Sequence, residues 1–210
     1  EALLRGYREA GFFGIASIFD SAFLDGALQQ LDKGLRAKAV ADFAANAPAD
    51  AKLFYNVDNR LFSIDDRALE ETVALAADFG LSASRIVLEL SERHELEGNS
   101  NFEKAIGLCR ELGFRIAIDD FGSGYAGLKL LHMSEPDIVK IDRHFVDGSG
   151  AEPRKAAFLE KIVGMAHLMG VSVVAEGVET ESELGVCIES GCDMIQGFYM
   201  ARPTSGPAAF

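Results

Sequence analysis

The sequence predicts an α/β fold built on parallel β-strands, and three observations support this prediction. Short apolar or β-branched runs alternate with longer stretches of helical period at least six times along the 210 residues. The runs are nearly continuously apolar, which is typical of parallel strands buried on both faces. No GxGxxG or GxxxxGK[ST] turn, the usual mark of a nucleotide site in an open doubly wound sheet, occurs. The alternation fits an open sheet or a closed (β/α) barrel.

Six runs are predicted to be strands. They are "LFYNV" (53–57), "RIVLEL" (85–90), "RIAID" (115–119), "DIVKID" (137–142), "VSVVAEG" (171–177) and "MIQGFYM" (194–200). The segment "EALLR" at residues 1–5 is predicted to be the end of a further strand.

Five stretches between these runs are predicted to be helices. They are residues 22–45, 65–80, 99–114, 151–170 and 179–191. The first is rich in Ala and Leu, and the second begins with two acidic residues, which favour a helix N-terminus. Glycines close the later stretches, as C-terminal caps do, and Pro153 lies near the first turn of the fourth.

The composition indicates one soluble globular domain over residues 1–210, with 49% hydrophobic and 25% charged residues. The apolar stretches are far shorter than the roughly 18 residues of a membrane span, so we expect no membrane contact from this domain. A net charge of −13 argues against a nucleic-acid polymer as partner. Because the chain opens on Glu1, we expect residues upstream of it.

The cysteines and histidines do not predict a soft metal site. The three cysteines form no CxxC pair, and the four histidines show no HxH or HxxxH spacing. We interpret the cysteines as reduced core residues of a cytoplasmic protein.

Polar residues lie at the exits of nearly all the predicted strands. They are Glu1, Asn56, Glu89, Glu92, Asp119, Asp120, Lys140, Asp142, Glu176, Glu179 and Gln196. Buried parallel strands exclude such side chains unless they are paired or bound to metal. In a barrel, the carboxyl ends of the strands form the active site. The pattern therefore favours a barrel with an oxygen-rich site for two Mg²⁺ or Mn²⁺ ions, as used in phosphoryl displacement.

Each of these residues also has a structural interpretation. A single Asp at a strand end is more often a helix N-cap than a ligand. Lys140 would then be an ion-pair partner of Asp119 or Glu89, Glu92 would be solvated, and Glu179 would favour a helix N-terminus. Independent caps do not explain so many consecutive strand exits, so the metal site is the stronger interpretation. We expect Asp119 and Asp120 to point to different sides of their strand end, so that one carboxylate bridges two metals.

Six motifs in order resemble those of the EAL domain of bacterial cyclic di-GMP phosphodiesterases. They are "EALLR", "ELSE", "DDFGSGYAGL", "VKIDRHFV", "AEGVET" and "QGFYMARP", and together they cover essentially the whole chain. The resemblance implies a modified TIM-like (β/α)8 barrel with one antiparallel strand, whose first strand we expect upstream of Glu1. It also implies hydrolysis of cyclic di-GMP to linear pGpG with two Mg²⁺ or Mn²⁺ ions.

The resemblance assigns a role to each matching residue. Glu1, Asn56, Glu89 and Asp119 would hold the first metal, and Asp119, Asp120 and Glu176 the second. Lys140 would orient or help activate the attacking water. Arg5 would contact the dinucleotide, and Asp142 and Gln196 would support substrate or metal-water contacts. Glu92 would anchor the "DDFGSGYAGL" loop, and Glu179 would support the site.

Other functions compatible with these residues are a cyclic di-GMP receptor, a protein-interaction module, and another metal-dependent barrel hydrolase. An intact site that stays idle until a partner orders the loop is a further alternative. The chain retains every acid, amide and amine of the motif set, which favours an active phosphodiesterase. A homodimer and upstream sensor or cyclase domains are expected by resemblance. Gly6, Ala126 and Gly127 depart from the family's usual residues.

Overall fold

The computed structural model describes residues 1–63, 67–91, 100–124 and 127–204. The chain divides into two compact units. The first unit comprises Glu1–Leu90 and Leu96–Arg115, and the second comprises Ser91–Glu95 and Ile116–Phe210. Within the described residues, no helix combines the length and the apolar character needed to cross a membrane.

The first unit contains two parallel strands and four helices among its described residues. The strands are β1 (Leu53–Val57) and β2 (Ile86–Ser91), and the helices are α1 (Ile15–Leu24), α2 (Leu28–Asn46), α3 (Arg67–Asp78) and α4 (Ser100–Glu111). The register of β1 against β2 places Asn56 opposite Glu89. The segment predicted as a strand end at residues 1–5 forms no regular strand, but the Ala2 N–H donates to the Phe54 carbonyl at 2.9 Å. This bond places Glu1 beside the end of β1.

The prediction of one helix over residues 22–45 is wrong. The structure has α1 and α2 there, separated by three residues. Gly26 adopts a φ of +69°, a left-handed conformation that interrupts a right-handed helix and is readily adopted by glycine.

A buried polar network holds β1 against two helices of the first unit. Arg36 of α2 forms an ion pair with Asp32 and donates hydrogen bonds of 2.8 Å to the Ala68 carbonyl and 2.7 Å to Thr72 Oγ1 of α3. The Tyr55 hydroxyl donates to Asp32 Oδ1 at 2.9 Å. Burial raises the pKa of Asp32, and the neighbouring Arg36 opposes that shift. Since Tyr55 precedes Asn56, this network fixes the strand that carries Asn56.

The second unit contains four parallel strands that lie side by side in chain order. They are β3 (Arg115–Phe121), β4 (Ile138–Ile141), β5 (Ser172–Ala175) and β6 (Met194–Ile195). The helices described in this unit are α5 (Gly127–Ser134), α6 (Arg143–Val146), α7 (Pro153–Leu168) and α8 (Glu181–Glu189). Neither α5 nor α6 was predicted, because each is too short to show a helical period.

The other helix predictions are confirmed as α3, α4, α7 and α8 over their described residues. Each of these helices is followed by a glycine that was predicted to cap its C-terminus, and the φ of that glycine lies between +69° and +86°. Helix α8 begins with a capping box, in which Thr180 and Glu183 bond each other's backbone N–H groups.

The strand predicted over residues 194–200 is much shorter in the structure. After β6, the Val178 N–H donates to the Gln196 carbonyl at 3.1 Å, and the Tyr199 N–H donates to the Val178 carbonyl at 3.0 Å. Gly197 lies so close to this backbone that a Cβ atom would stand 2.1 Å from the Val178 oxygen. The Met200 N–H bonds back to the Gly197 carbonyl at 3.1 Å, so the chain turns there.

Candidate active site

The first group of predicted site residues lies at the ends of β1 and β2. Asn56 Nδ2 donates to Glu1 Oε1 and to Glu89 Oε2, each at 2.9 Å. One carboxylate oxygen of Glu1 and one of Glu89 lie within 4.8 Å of each other. Glu89 is 1% exposed, whereas Glu1 is exposed. We call Glu1, Asn56 and Glu89 the amide-carboxylate group.

This group can present three oxygen ligands after one side-chain rotation. In the structure the Asn56 NH₂ faces two carboxylates, which is the orientation that their hydrogen-bond acceptors favour. Half a turn of the amide would direct Oδ1 to the same place, beside the oxygens of Glu1 and Glu89. Carboxylate and amide oxygens are the ligands that hard divalent cations prefer.

The second group lies at the ends of β3, β4 and β5. One carboxylate oxygen from each of Asp119, Asp120 and Glu176 lies within 4.8 Å of the other two. Lys140 Nζ stands 2.7 Å from Asp119 Oδ1 and 2.9 Å from Glu176 Oε1. The Lys140 side chain is 2% exposed, and those of Asp119 and Glu176 are each 14% exposed. We call these four residues the lysine-carboxylate cluster.

A β-bulge explains why adjacent acids reach the same cluster. Ile118 pairs with Val139, and Phe121 pairs with Ile141, so Asp119 and Asp120 together oppose Lys140. Asp120 adopts a φ of +52°, a conformation that costs a non-glycine residue about 1 kcal/mol. The prediction that Asp119 and Asp120 point to different sides is therefore wrong, because the bulge interrupts the alternation of a regular strand.

Several predicted site residues have structural contacts in the second unit. Asp142 Oδ1 accepts the His144 N–H at 2.8 Å and so caps α6, as the structural interpretation expected. Glu179 Oε1 forms a 2.8 Å ion pair with Arg143 Nη1. The Gln196 N–H donates to the Ala175 carbonyl at 2.8 Å, which fixes its backbone beside β5. Lys140 pairs with Asp119, one of its two expected partners, and additionally with Glu176.

Two further predicted site residues, Arg5 and Glu92, are not among the residues whose side-chain contacts are described above. Arg5, predicted to contact substrate, is exposed in the first unit. Glu92, predicted to anchor a loop, lies outside the described residues, as do two residues of that loop, Tyr125 and Ala126.

Two residues that the sequence analysis did not single out, Glu183 and Arg143, hold the loop between β5 and α8, residues 176–180. Glu183 accepts the N–H groups of Gly148, Glu179 and Thr180 at 2.9, 2.9 and 3.0 Å. Burial opposes ionisation of Glu183, but these hydrogen bonds prevail and lower its pKa. The Arg143 side chain lies over Gly177, where a Cβ atom would come within 2.4 Å of Arg143 Cγ. The spacing of Thr180 and Glu183, a capping-box pattern, is the signal that would have indicated Glu183.

Both groups fit a divalent cation by the chemistry of their donors. Each offers carboxylate oxygens, the first adds an amide oxygen, and the described ligand groups include neither a thiolate nor an imidazole. This donor set suits Mg²⁺ or Mn²⁺ better than Zn²⁺. Glu1, Asn56 and Glu89 would hold one ion, and Asp119, Asp120 and Glu176 would hold another.

The fold and the two groups define an α/β protein with acidic sites at the carboxyl ends of parallel strands. The chain belongs to the EAL domain family, whose model matches residues 1–203. The motif-based identification of the family is therefore confirmed.

Curated relatives match only over part of their own length. A probable cyclic di-GMP phosphodiesterase, PdeG of Escherichia coli, is 37% identical over 120 residues, which are 57% of this chain and 24% of PdeG. The cyclic di-GMP phosphodiesterase RocR of Pseudomonas aeruginosa is 34% identical over 141 residues, which are 67% of this chain and 36% of RocR. The chain thus spans well under half of either relative.

Solved structures share the fold. The manganese and cyclic di-GMP complex of Klebsiella pneumoniae BlrP1 has a TM-score of 0.78 and 29% identity, covering 84% of this chain and 45% of BlrP1. The EAL domain of Mycobacterium smegmatis DcpA has a TM-score of 0.75 and 29% identity, covering 83% of this chain and 80% of that chain. The predicted fold class is confirmed by these similarities and by the parallel strands of both units.

Proposed function

We propose that the chain hydrolyses cyclic di-GMP to linear pGpG with two divalent cations, Mg²⁺ or Mn²⁺. The observation that carries this proposal is the lysine-carboxylate cluster, in which a buried Lys140 lies between Asp119 and Glu176 while Asp120 reaches the same place. Family membership supports the substrate, since RocR is named a cyclic di-GMP phosphodiesterase and BlrP1 was solved with cyclic di-GMP.

The bound cations would neutralise charge on the phosphate diester and lower the pKa of coordinated water towards neutrality. The carboxylates are arranged for this by the protein alone. The bulge at Asp119 and Asp120 directs two adjacent acids to one place, and β5 brings Glu176 beside them. Such preorganisation means that little rearrangement is needed when the charges of the reaction develop.

Lys140 would orient the attacking water. Its ammonium group donates up to three hydrogen bonds, and the two short contacts to Asp119 and Glu176 fix its Nζ. A cation beside the nucleophile also stabilises hydroxide relative to water. We assign Lys140 to water orientation, and Asp119, Asp120 and Glu176 to the cation.

The remaining assignments concern substrate. Arg5 has a planar fork of donors that suits a phosphate oxygen or a guanine edge. Asp142 and Gln196 would contact substrate or coordinated water from positions fixed by the α6 cap and by β5. Glu179 would support the site through its ion pair with Arg143.

The test is turnover of cyclic di-GMP by the purified chain with Mg²⁺ or Mn²⁺, followed by chromatography of pGpG. Asp119→Asn removes one carboxylate of the cluster with little change in shape, and the exposed Asp147→Asn is the matched control. We expect pGpG from the wild type and from the control, loss of turnover in Asp119→Asn, and weaker Mn²⁺ binding in that variant by calorimetry.

Two results would overturn the proposal in different ways. Cyclic di-GMP binding without turnover would assign the chain to the receptors. Neither binding nor turnover, in a folded protein that binds Mn²⁺, would mean that the substrate is wrong.

We also propose that the chain acts in the cytoplasm as a homodimer, within a longer protein that carries sensor or cyclase domains. Family resemblance supports these assignments. Light scattering of the purified chain would measure the dimer, and a monomer at all concentrations would contradict it.

A further inference from the structure

Two cysteines lie on either side of the C-terminus of α8. Cys187 is in the last turn of the helix, and Cys192 is the second residue after the helix cap at Ser190. The Cys192 N–H donates to the Cys187 carbonyl at 3.0 Å, and the Gly191 N–H donates to the Ile188 carbonyl at 3.0 Å. Gly191 has a φ of +86°. These two bonds and the left-handed glycine define a Schellman motif.

The motif brings the two thiols together. In a Schellman motif, the side chains at the positions held here by Cys187 and Cys192 contact each other across the turn. The pKa values of the two thiols are shifted in opposite directions by their interaction, as expected for side chains in contact. A disulfide spans Cα atoms about 4.4–6.8 Å apart, and two residues joined by a direct backbone hydrogen bond lie in this range.

We propose that Cys187 and Cys192 form a thiol pair that a peroxide converts into an intramolecular disulfide. In the first step, the Cys192 sulfur takes one peroxide oxygen to become a sulfenic acid, and the other oxygen leaves as water or alcohol. In the second step, the Cys187 thiolate attacks that sulfur, the S–S bond forms, and hydroxide leaves and is protonated to water. Both thiols are oxidised by one peroxide, which is reduced by two electrons.

Accessibility assigns the two steps to different cysteines. Cys192 is half-buried and within reach of a small oxidant, whereas Cys187 is fully buried. The interaction with Cys192 lowers the pKa of Cys187, which favours the thiolate needed for the second step. The same interaction raises the pKa of Cys192, so less of its reactive thiolate is present near neutral pH, and we expect the first step to accelerate as pH rises.

Cys109 provides an internal control in the same chain. It is 1% exposed in the first unit, and burial raises its pKa to about 12. Peroxide does not reach a thiol shielded in this way while the protein is folded, whereas it reaches the partly buried Cys192. The sequence therefore contains one reactive pair and one inert cysteine. The earlier interpretation of all three as core residues holds for Cys109 and Cys187, while Cys192 is only partly buried.

The sequence offers a direct assay for this bond. Glu183 and Glu189 flank Cys187, so cleavage after glutamate releases residues 184–189 with Cys187 and residues 190–210 with Cys192. The folded protein is treated with hydrogen peroxide, and remaining thiols are alkylated after unfolding. Digestion and mass spectrometry then proceed without reductant. We expect the two peptides to appear linked, about 2 Da lighter than their sum. Reductant should separate them, and Cys109 should be alkylated in full.

A matched variant makes the result specific. Cys192→Ser should abolish the linked peptide and leave Cys187 alkylated, whereas Cys109→Ala should form the link as the wild type does. Unlinked peptides with Cys192 as sulfinic or sulfonic acid would overturn the proposal. A disulfide between two copies of the chain, seen as a covalent dimer under denaturing conditions without reductant, would also overturn the proposal. None of these readouts depends on phosphodiesterase activity.

Discussion

Replacing Lys140 by methionine removes the positive charge of the lysine-carboxylate cluster while keeping most of the length of the side chain. Lys140 Nζ is 2.7 Å from Asp119 and 2.9 Å from Glu176, and its side chain is 2% exposed. Breaking a buried ion pair costs about 3–5 kcal/mol, because the remaining partners stay buried and uncompensated. Since Asp119 and Glu176 each retain 14% exposure, we expect the lower end, about 3 kcal/mol. For a chain of this size, this corresponds to a melting temperature about 10 °C lower.

The loss of stability in Lys140→Met should depend on divalent cations. Both proteins gain stability from a bound cation, so the deficit shrinks only by the difference in binding; a variant that binds Mn²⁺ about 100-fold more tightly than wild type would recover about 2.7 kcal/mol, which nearly matches the expected cost. Without the positive charge of Lys140, the three carboxylates should bind Mn²⁺ more tightly than in the wild type. The difference in stability between Lys140→Met and wild type should therefore be large in chelator and small in excess Mn²⁺. In excess Mn²⁺, turnover should fall by about 10²–10⁴-fold relative to wild type if Lys140 orients the water.

The assay is thermal unfolding followed by circular dichroism, in chelator and in Mn²⁺. Lys161→Met is the control, because Lys161 makes an exposed ion pair with Glu160 on α7 and should change stability by less than about 1 kcal/mol. A Lys140→Met protein as stable as wild type in chelator would refute the role of the buried pair. A deficit that Mn²⁺ leaves unchanged would refute the expectation that Lys140 and the cation compete for these carboxylates.

Three other substitutions test the structure directly. Gly197→Ala should destabilise the protein by about 3 kcal/mol or more, because its Cβ atom would stand 2.1 Å from the Val178 oxygen; denaturant unfolding measures this. Asp120→Gly should relieve the strain of its φ of +52° and stabilise the protein by about 1 kcal/mol, while calorimetry should show weaker Mn²⁺ binding. Glu183→Gln should lower the melting temperature at neutral pH. The pKa of Glu183 lies below its ordinary value of 4.5, so this difference should vanish as pH falls through the folded-state pKa.

Each of these predictions has a clear contrary result. Gly164→Ala, at a helical site with no atom within 4 Å, should be neutral or stabilising, and an equal loss there would contradict the contact argument for Gly197. Unchanged Mn²⁺ affinity in Asp120→Gly would remove Asp120 from the ligand set. A Glu183→Gln deficit that does not shrink as pH falls below 4.5 would show that hydrogen bonding to the carboxylate is not the cause.

The positions of most site residues could be predicted from the strand ends. Glu89, Asp119, Lys140 and Glu176 follow or end apolar runs, and the structure finds all four at the ends of parallel strands. The periodicity also indicated the α/β class, because strands and helices bury their apolar residues with different spacings. Helices α5 and α6 escaped prediction, since they span only 8 and 4 residues.

The sequence by itself determined the alternation of strands with helices, the oxygen donors of the candidate site and the family. These properties depend on residue types and spacings along the chain. The tertiary structure alone decided that β3 bulges at Asp119 and Asp120, that Lys140 pairs with both Asp119 and Glu176, and that the last strand stops before Gly197. Each of these outcomes depends on a neighbouring strand or loop distant in sequence, whose atoms fix the register, the charge partner or the space available.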